Sequence, residues 1–403
     1  MNVIVIGGGA AGFFAALSCK KHHPDFSVLI LEKSDKLLSK VKVSGGGRCN
    51  VTHACFENSR LSKFYPRGGK QLKKTFEQFS VKDTIQWFEG RGVKLKTEED
   101  GRMFPVTNNS QTIIDCLLNE ANKSGVKIQQ RVSISEIREK EKGFDLITNE
   151  KTISADKIII ASGGNPKPEG FNWLKELGHT IIPPVPSLFT FNMPSEPIKK
   201  LMGVVANPVS VKIKGADLKS EGALLITHWG MSGPAILKLS SFGARELNRM
   251  NYKFDVLVNW VNKREDETRN YLSKELKSKK QIGNKNPFAL PNRLWNFLLE
   301  KNEINPEISW NQTPKKSLNK LINTLVNDSY KCEGKTTFKE EFVTCGGISL
   351  DEVSLETMES KIVPGIYFAG EVLDVDAVTG GFNFQNAWTT GFIAGKLATN
   401  YTN

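Results

Sequence analysis

Near its start the chain reads Val3-Ile4-Val5-Ile6-Gly7-Gly8-Gly9-Ala10-Ala11-Gly12. The four apolar residues of this stretch predict a buried parallel strand, and the alanine-rich segment from Ala10 to about Lys21 predicts a helix. Ser27 to Leu31 predicts a second buried strand, so the three elements form a βαβ unit. Lysines follow this apolar segment and do not precede it, so we do not interpret it as a targeting peptide.

Residues 7–12 fit the pattern G-x-G-x-x-G, which is typical of a dinucleotide-binding turn when it joins a strand to a helix. In that turn Gly7 allows the sharp bend, and Gly9 lets backbone N–H groups approach a pyrophosphate. Gly12 lets the helix pack closely on the sheet. Ala10 and Ala11 open the helix, whose N-terminus favours the phosphate charge. The turn therefore predicts a dinucleotide site.

Glu32 ends the second predicted strand, 20 residues beyond Gly12. A carboxylate at this place accepts hydrogen bonds from a ribose diol and disfavours a 2′-phosphate. The predicted ligand is therefore FAD or NAD and not NADP, with Lys33 as a further candidate contact.

A glycine-rich segment near the end of the chain favours FAD over NAD. It runs from an apolar strand through Gly370–Asp374 to a double glycine and a predicted helix that begins near Asn383. The N–H groups of such a helix would face the pyrimidine end of a flavin and stabilise the anionic reduced ring. The candidate residues of this segment are Gly370, Glu371, Asp374, Gly380, Gly381, Asn383, Phe384 and Gln385.

The third candidate segment is Lys40–Asn50, in which three consecutive glycines precede Arg, Cys and Asn. This composition does not build a core, and it predicts a loop whose backbone lies against a planar or phosphorylated ligand. Lys40 and Arg48 are predicted to offset the pyrophosphate charge. The candidate residues here are Lys40, Ser44, Gly45, Gly46, Gly47, Arg48, Cys49 and Asn50.

These motifs together resemble the bacterial flavoproteins often called aminoacetone oxidase-like or bile-acid-dehydroxylation-like. The resemblance rests on the runs 44–50, 227–234 and 367–386, and shorter matches lie at 101–106 and 357–361. It spans the whole chain and implies oxidoreductase activity with bound FAD, while most substrates in that family are unassigned. Asn109-Ser110 and Cys345 depart from the family pattern, and neither lies in a glycine motif.

The same resemblance implies further contacts and an architecture. Val132 would hold the adenine through its backbone, and Ala161, Gly163 and Gly164 would form a second strand-to-loop contact with FAD. Asp374 would bond the ribityl chain or cap its loop. The implied fold is α/β, with a two-part Rossmann-like FAD domain in the glutathione-reductase style, interrupted by an insert that has a β-barrel-like part and a helical part.

Composition and chain-breaking prolines indicate the domain boundaries of this architecture. The prolines at 183, 184 and 186 form the strongest break in the chain. We predict a first FAD-binding part over 1–187, a β-rich insert over 188–262, a basic helical insert over 263–340 and a second FAD-binding part over 341–403. Within the first part, Leu72–Glu89 predicts one amphipathic helix.

The 403 residues carry a net charge of +12, and residues 263–339 hold 16 Lys and Arg against 9 Asp and Glu. We interpret this excess as a solvated helical face and disfavour nucleic acid as a partner, since no aromatic residues alternate with the basic ones. No apolar run approaches a membrane span. Six scattered cysteines without a C-x-x-C pair predict reduced thiols in the cytoplasm.

Other chemistries find less support in the sequence. Cys49 and Cys55 are one residue too far apart for the redox pair of disulfide reductases, and no metal-ligand spacing is present. His228 is the best titratable candidate, although no catalytic residue can be assigned. A second glycine fingerprint is missing, so NAD(P)H would bind only transiently over the flavin, or a small organic substrate would reduce it.

Three hypotheses follow from these patterns. The first is an FAD-dependent oxidoreductase that passes a hydride between FAD and either NAD(P)H or a small-molecule substrate. The second is a flavin-dependent tRNA-modifying enzyme, which the basic insert would suit. The third is a non-enzymatic flavoprotein with FAD as a structural or sensory ligand. A fumarate-reductase-like enzyme ranks low, because no set of Arg and His residues for a dicarboxylate is evident. The oligomeric state is left open.

Overall fold

A computed structural model describes residues 1–336 and 343–399. The chain divides into two compact units: unit 1 comprises Met1–Ser187 with Lys339–Asn403, and unit 2 comprises Leu188–Phe338. The predicted split of the inserted segment into a β-rich and a helical domain stays a prediction. None of the described helices has the length and apolar composition needed to cross a membrane.

The strands of the first half of the chain are β1 (Asn2–Ile6), β2 (Ser27–Glu32), β3 (Thr52–His53), β4 (Leu95–Thr97), β5 (Arg102–Pro105), β6 (Lys127–Gln130), β7 (Ile134–Glu139), β8 (Phe144–Thr148), β9 (Thr152–Ala155) and β10 (Lys157–Ile160). Those of the second half are β11 (Ile181–Ser187), β12 (Thr190–Asn192), β13 (Val205–Ile213), β14 (Lys219–Ile226), β15 (Gly230–Ser232), β16 (Lys253–Asn259), β17 (Asp328–Glu333), β18 (Lys335–Thr336), β19 (Val343–Ile348) and β20 (Ile366–Phe368).

The α-helices of unit 1 are α1 (Ala10–His22), α2 (Ser39–Gly47), α3 (Asn58–Leu61), α4 (Gly69–Gln78), α5 (Val81–Glu89), α6 (Gln111–Lys123), α7 (Asn172–Glu176) and, after the inserted unit, α13 (Phe382–Leu397). Those of unit 2 are α8 (Pro234–Phe242), α9 (Ala244–Arg249), α10 (Glu265–Ser273), α11 (Asn292–Lys301) and α12 (Lys315–Asn327).

Unit 1 is organised around a parallel sheet with the strand order β20-β10-β1-β2-β6. The opening strand β1 is central, with Ile4 paired to Leu29 of β2 on one side and to Ile158 of β10 on the other. Its residues Val3 and Val5 are fully buried, as the apolar run predicts. Helices α1 and α13 pack together beside this sheet. The predicted α/β fold with a Rossmann-like domain is confirmed.

Unit 2 contains an antiparallel sheet with the order β17-β16-β13-β14-β15-β12-β18. The strands at its two ends, β17 and β18, are separated along the chain only by Gly334. The two ends of the order are therefore brought together, which gives the sheet the barrel-like character that the resemblance implies. Helices α10, α11 and α12 complete a hydrophobic core that includes Trp260, Trp295 and Trp310.

The predicted single helix over Leu72–Glu89 is wrong, because α4 and α5 are separate. The break falls at Phe79 and Ser80, and Ser80 caps α5: its Oγ accepts from the Asp83 N–H at 3.4 Å, while the Asp83 carboxylate accepts from the Ser80 N–H at 2.7 Å. Such a capping box provides side-chain acceptors for the N–H groups of Ser80 and Asp83. In a continuous helix, carbonyl groups of the preceding turn would accept from them instead. The apolar spacing hid the break, since it continues across both helices.

Candidate cofactor site

The candidate site lies at the carboxyl ends of the parallel strands of unit 1. The chain leaves β1 at Gly7, β2 at Glu32, β10 at Ala161 and β20 at Ala369, so four predicted contact segments begin at the same edge of the sheet. The first crossover of the chain runs from β1 to β2, on one side of β1. Strand β10 pairs with β1 on its other side. A crevice forms where the strand order reverses in this way, and ligands of doubly wound sheets bind there.

The first turn contains two glycines that the backbone itself requires. A Cβ atom on Gly12 would lie 1.9 Å from the Gly7 carbonyl oxygen, and one on Gly7 would lie 2.3 Å from the Ala161 oxygen. Gly9 differs, because no atom lies within 4 Å of its Cβ position. Gly9 is the N-cap of α1 and no side chain caps this helix. The turn thus leaves open space at a helix N-terminus, which suits a pyrophosphate.

The Glu32 carboxylate is held in a fixed position at the end of β2. Its Oε2 accepts a hydrogen bond from the Gly8 N–H at 2.8 Å, and its Oε1 accepts one from the Ser34 N–H at 2.9 Å. Each oxygen keeps a further lone pair for a ribose hydroxyl. The Val132 N–H donates to the Glu32 carbonyl at 3.0 Å, which places the Val132 backbone beside the same strand end.

The Lys40–Asn50 segment combines a short helix with a left-handed turn. Helical geometry stops at Ser44, and Gly45, Gly46 and Gly47 all have positive φ. Nothing lies within 4 Å of the Cβ positions of Gly46 and Gly47, so this backbone faces open space, as a ligand-facing turn would. Gly163, at the end of β10, is equally open.

The two cations predicted to offset phosphate charge have carboxylate partners in the structure. Lys40 Nζ lies 2.6 Å from a Glu371 oxygen, and Arg48 Nη1 lies 2.6 Å from a Glu98 oxygen. The Arg48 guanidinium also lies over the Phe104 ring, 4.0 Å from its centroid. These contacts fix the Lys40–Asn50 segment, so its glycine backbone, more than its cations, is free for a ligand.

Asn50 joins this segment to the start of α13. With its amide oxygen toward Gly381, Asn50 accepts from the Gly381 N–H at 3.0 Å and donates to the Thr52 carbonyl at 3.0 Å. His53 supports the same turn: its Nδ1 lies 3.1 Å from the Gly380 carbonyl oxygen, so Nδ1 carries the proton. Burial lowers the pKa of His53, which keeps the ring neutral. Two segments predicted to contact the flavin are thereby brought together.

Two of the side chains predicted at the start of α13 form hydrogen bonds with other groups of the protein. Gln385 accepts from the hydroxyls of Thr52 and Thr84 at 2.7 and 3.0 Å. The Asn383 amide holds the preceding loop through both backbone groups of Ala377. The N-terminus of α13 remains for a cofactor. The first hydrogen bond of this helix runs from the Gln385 N–H to the Gly381 carbonyl oxygen, so the N–H groups before Gln385 point out of the helix end.

A buried ion pair near this site was not predicted from the sequence. The Arg67 guanidinium forms a bidentate pair with Asp376, and the Ser187 hydroxyl donates to the same carboxylate at 2.6 Å. The Asp376 side chain is fully buried. Burial raises the pKa of the Asp376 carboxyl, and the Arg67 guanidinium opposes that shift. Because 309 residues separate the partners, no local pattern could reveal the pair.

Two buried polar side chains at this edge have no hydrogen-bond partner among the described residues. They are the Thr344 hydroxyl and the Asn386 amide. Thr344 Oγ1 lies 3.0 Å from the Cβ position of Gly164, a residue predicted to contact the cofactor. Open glycine backbone, an uncapped helix N-terminus and unsatisfied polar groups at one sheet edge fit a bound dinucleotide.

Among the described residues, the side chains are not arranged for dithiol or metal chemistry. Cys49 and Cys55 are both buried and free, and burial raises the pKa of the Cys49 thiol to about 12. A thiol of that pKa is not a nucleophile near neutral pH. Within residues 1–336 and 343–399, no three His, Cys, Asp or Glu side chains are placed to hold a metal ion. His228 lies in unit 2, with its ring 3.9 Å from that of Trp229.

The fold and the sheet-edge site define a protein of the FAD-binding oxidoreductase class. The chain matches the family described as HI0933-like protein Rossmann domain over residues 1–397, and it belongs to that family. A relative from Escherichia coli, named ribosomal RNA dihydrouridine synthase, is 31% identical and covers 97% of this chain and 96% of its own. A relative from Clostridium scindens, named 3-dehydro-bile acid delta(4,6)-reductase, is 27% identical and covers 99% of both.

A solved structure supports the same fold. The 3-ketosteroid-delta4-(5alpha)-dehydrogenase of Rhodococcus jostii, in complex with 4-androstene-3,17-dione, is 12% identical, with a TM-score of 0.51 over 98% of this chain and 96% of its own. The predicted family resemblance, the FAD cofactor and the FAD-dependent oxidoreductase activity are confirmed. The contact residues predicted for FAD stay a prediction.

Proposed function

We propose that this enzyme reduces a carbon–carbon double bond conjugated to a carbonyl group, and that its acceptor is a uridine of ribosomal RNA. Dihydrouridine is uridine with its C5=C6 bond saturated, so one hydride and one proton are added. Bound FAD supplies the hydride chemistry. The observation that carries the proposal is the match, across nearly the whole chain including unit 2, to a relative named for this product.

A second acceptor class is supported by the Clostridium scindens relative, whose name describes reduction of a steroid dienone. The two reactions share one chemistry, because both saturate a double bond conjugated to a carbonyl. Charge favours RNA: the chain carries +12, and residues 263–339 contribute more than half of that excess. Such a positive charge raises the binding affinity of a polyanion far more than that of a small steroid acid, because many phosphates can be neutralised at once. We therefore place an RNA acceptor before a small-molecule acceptor, which is the opposite of the order that the sequence alone suggests.

We further propose how unit 1 holds FAD. The pyrophosphate would lie at Gly9 and the N-terminus of α1, and the ribose diol would bond Glu32. The turns at Gly46, Gly47 and Gly163 would offer backbone to the cofactor, and the N-terminus of α13 would direct N–H groups to it. NAD(P)H is the proposed reductant, bound transiently.

The test is an anaerobic titration of the FAD-loaded protein with NADH and then NADPH, followed by addition of an acceptor. Unmodified ribosomal RNA transcribed in vitro is one acceptor, and a 3-keto-4,6-diene steroid acid is the other. We expect RNA to reoxidise the flavin and to gain two hydrogens at a single uridine, measured by mass spectrometry of RNA fragments. Reoxidation by the steroid alone would assign the second class. Reoxidation by neither acceptor would overturn the proposal.

A further inference from the structure

Unit 2 carries an exposed aromatic side chain surrounded by basic residues. Tyr271 lies on α10 and is 45% exposed, although Thr268 and Leu272 of the same helix are buried. The ammonium groups of Lys263 and Lys274 each lie 5.9 Å from the centroid of its ring. The Phe288 ring stacks with it at 5.3 Å and 29°. We call Lys263, Tyr271, Lys274 and Phe288 the Tyr271 surface.

The charge around the Tyr271 surface is not neutralised. Lys274, Lys277, Lys279 and Lys280 are exposed. Within the part of the chain that the structure describes, none of these four nor Lys263 forms an ion pair. The nearby carboxylates are already partnered: Glu265 pairs with Arg269, Asp266 with Arg264, and Glu275 with Lys285. The surface therefore presents net positive charge to an incoming anion.

We propose that the Tyr271 surface binds an unpaired segment of RNA, with a base stacked on Tyr271 and phosphates at the lysines. A flat ring that already stacks with a second ring extends an aromatic surface on which a base can stack, and flanking lysines attract the backbone. The charge would also attract an acidic protein or an anionic membrane, but the stacked rings favour RNA, whose planar bases can extend the stack. The sequence did not indicate this combination, because Phe288 stands 17 residues beyond Tyr271 along the chain.

This inference rests on the proposed function and names the surface through which its RNA would bind. The test measures binding, not turnover, so the two can fail separately. The FAD-loaded full-length protein is titrated into a labelled single-stranded uridine-rich RNA of about 12 nucleotides. Fluorescence anisotropy is recorded over a series of salt concentrations.

We expect Tyr271→Ala to weaken binding about tenfold and Tyr271→Phe to leave it nearly unchanged, because stacking needs the ring and not the hydroxyl. Phe242→Ala removes an equally exposed aromatic side chain of unit 2 and should have no effect. The double variant Lys263→Ala/Lys274→Ala should lower the log–log salt slope by about 1.4, since each phosphate contact on a single strand contributes about 0.7.

A matched control removes the same charge elsewhere. Lys73→Ala/Lys74→Ala on α4 also deletes two exposed lysines. If this pair lowers affinity as much as the Lys263/Lys274 pair, or if Tyr271→Ala binds like the wild type, the surface is refuted. Equal binding to duplex RNA or to vesicles rich in anionic lipid would also refute it. RNA binding through Tyr271 without dihydrouridine formation would refute only the proposed function.

Discussion

Gly9 and Gly12 illustrate at the scale of single residues how the same residue type serves two purposes. At Gly12 a side chain would meet the chain's own backbone, whereas at Gly9 it would enter open space. The backbone at Gly9 is extended, with φ −96° and ψ −171°, a geometry that alanine adopts without strain. The pattern G-x-G-x-x-G predicts both glycines, but only the structure separates packing from ligand access.

We therefore expect Gly9→Ala to keep the stability of the FAD-free protein and to weaken FAD binding roughly tenfold, about 1.4 kcal/mol. Gly12→Ala should instead lower the stability of the FAD-free protein by about 1–3 kcal/mol, since overpacking displaces backbone. Thermal denaturation and a fluorescence titration with FAD measure the two effects. If Gly9→Ala binds FAD like the wild type, the pyrophosphate does not lie at this turn.

The Arg67–Asp376 ion pair leaves a buried carboxylate exposed to the loss of its cation. Arg67→Met leaves the Asp376 carboxylate buried without its cation, which costs about 3–5 kcal/mol. A carboxyl whose folded-state pKa is raised loses stability as pH rises above its unfolded pKa of about 3.9. The defect of the variant should therefore be full near neutral pH and shrink as pH falls toward 4, measured by urea denaturation at each pH.

The control for this variant removes both charges. Arg67→Met with Asp376→Asn leaves no buried carboxylate, so its stability relative to the wild type should change much less between neutral and acid pH. A defect of Arg67→Met that is independent of pH would show that lost packing of the Arg67 stem, and not the buried charge, destabilises the variant.

At the scale of elements, local patterns predicted most of what lies at the sheet edge. The run Val3–Ile6 predicted β1, and the run Ser27–Leu31 predicted β2. Patterns gave no information on distant partners: the hydroxyls of Thr52 and Thr84 both donate to the Gln385 side chain, and no local pattern indicates this. The prolines at 183, 184 and 186 predicted a break, but they lie in β11, whose pairing with β19 shifts register between Ile182 and Val185. Prolines are tolerated at such irregular edges.

One hydrogen bond ties the start of α13 to a segment far away along the chain. Asn50 accepts from the Gly381 N–H and so ties this helix to the Lys40–Asn50 segment. Asn50→Ala leaves that buried N–H unsatisfied, at a cost of about 1–3 kcal/mol. We expect FAD affinity to fall about tenfold, because both segments shift. Asn50→Asp keeps the acceptor for Gly381 but places a buried carboxylate oxygen against the Thr52 carbonyl, so it should lose FAD affinity as well. Equal FAD binding by wild type and Asn50→Ala would contradict the link.

At the scale of the whole molecule, the two units have separate hydrophobic cores. The core of unit 1 draws on residues 3–174 and 348–398, and that of unit 2 on residues 189–332. The glycine motifs predicted the first core well, because dinucleotide turns impose a known strand order. The second core could not be derived in this way. Its lysines suggested only a solvated face, although Trp260, Trp295 and Trp310 are buried in the core of the same unit.

Separate cores imply that FAD stabilises one part of the molecule more than the other. All the contacts that we propose for FAD lie in unit 1, and a ligand stabilises the folded form that binds it by about 2.7 kcal/mol at a hundredfold excess over Kd. We expect calorimetry of the FAD-free protein to show two unfolding transitions, of which FAD raises only one. Hydrogen exchange with mass spectrometry should assign the raised transition to unit 1, with peptides of β1, α1 and α13 protected and those of α10–α12 unchanged. Equal protection of both units would mean that unit 2 also contributes to holding the cofactor, and the proposed set of FAD contacts would then be incomplete.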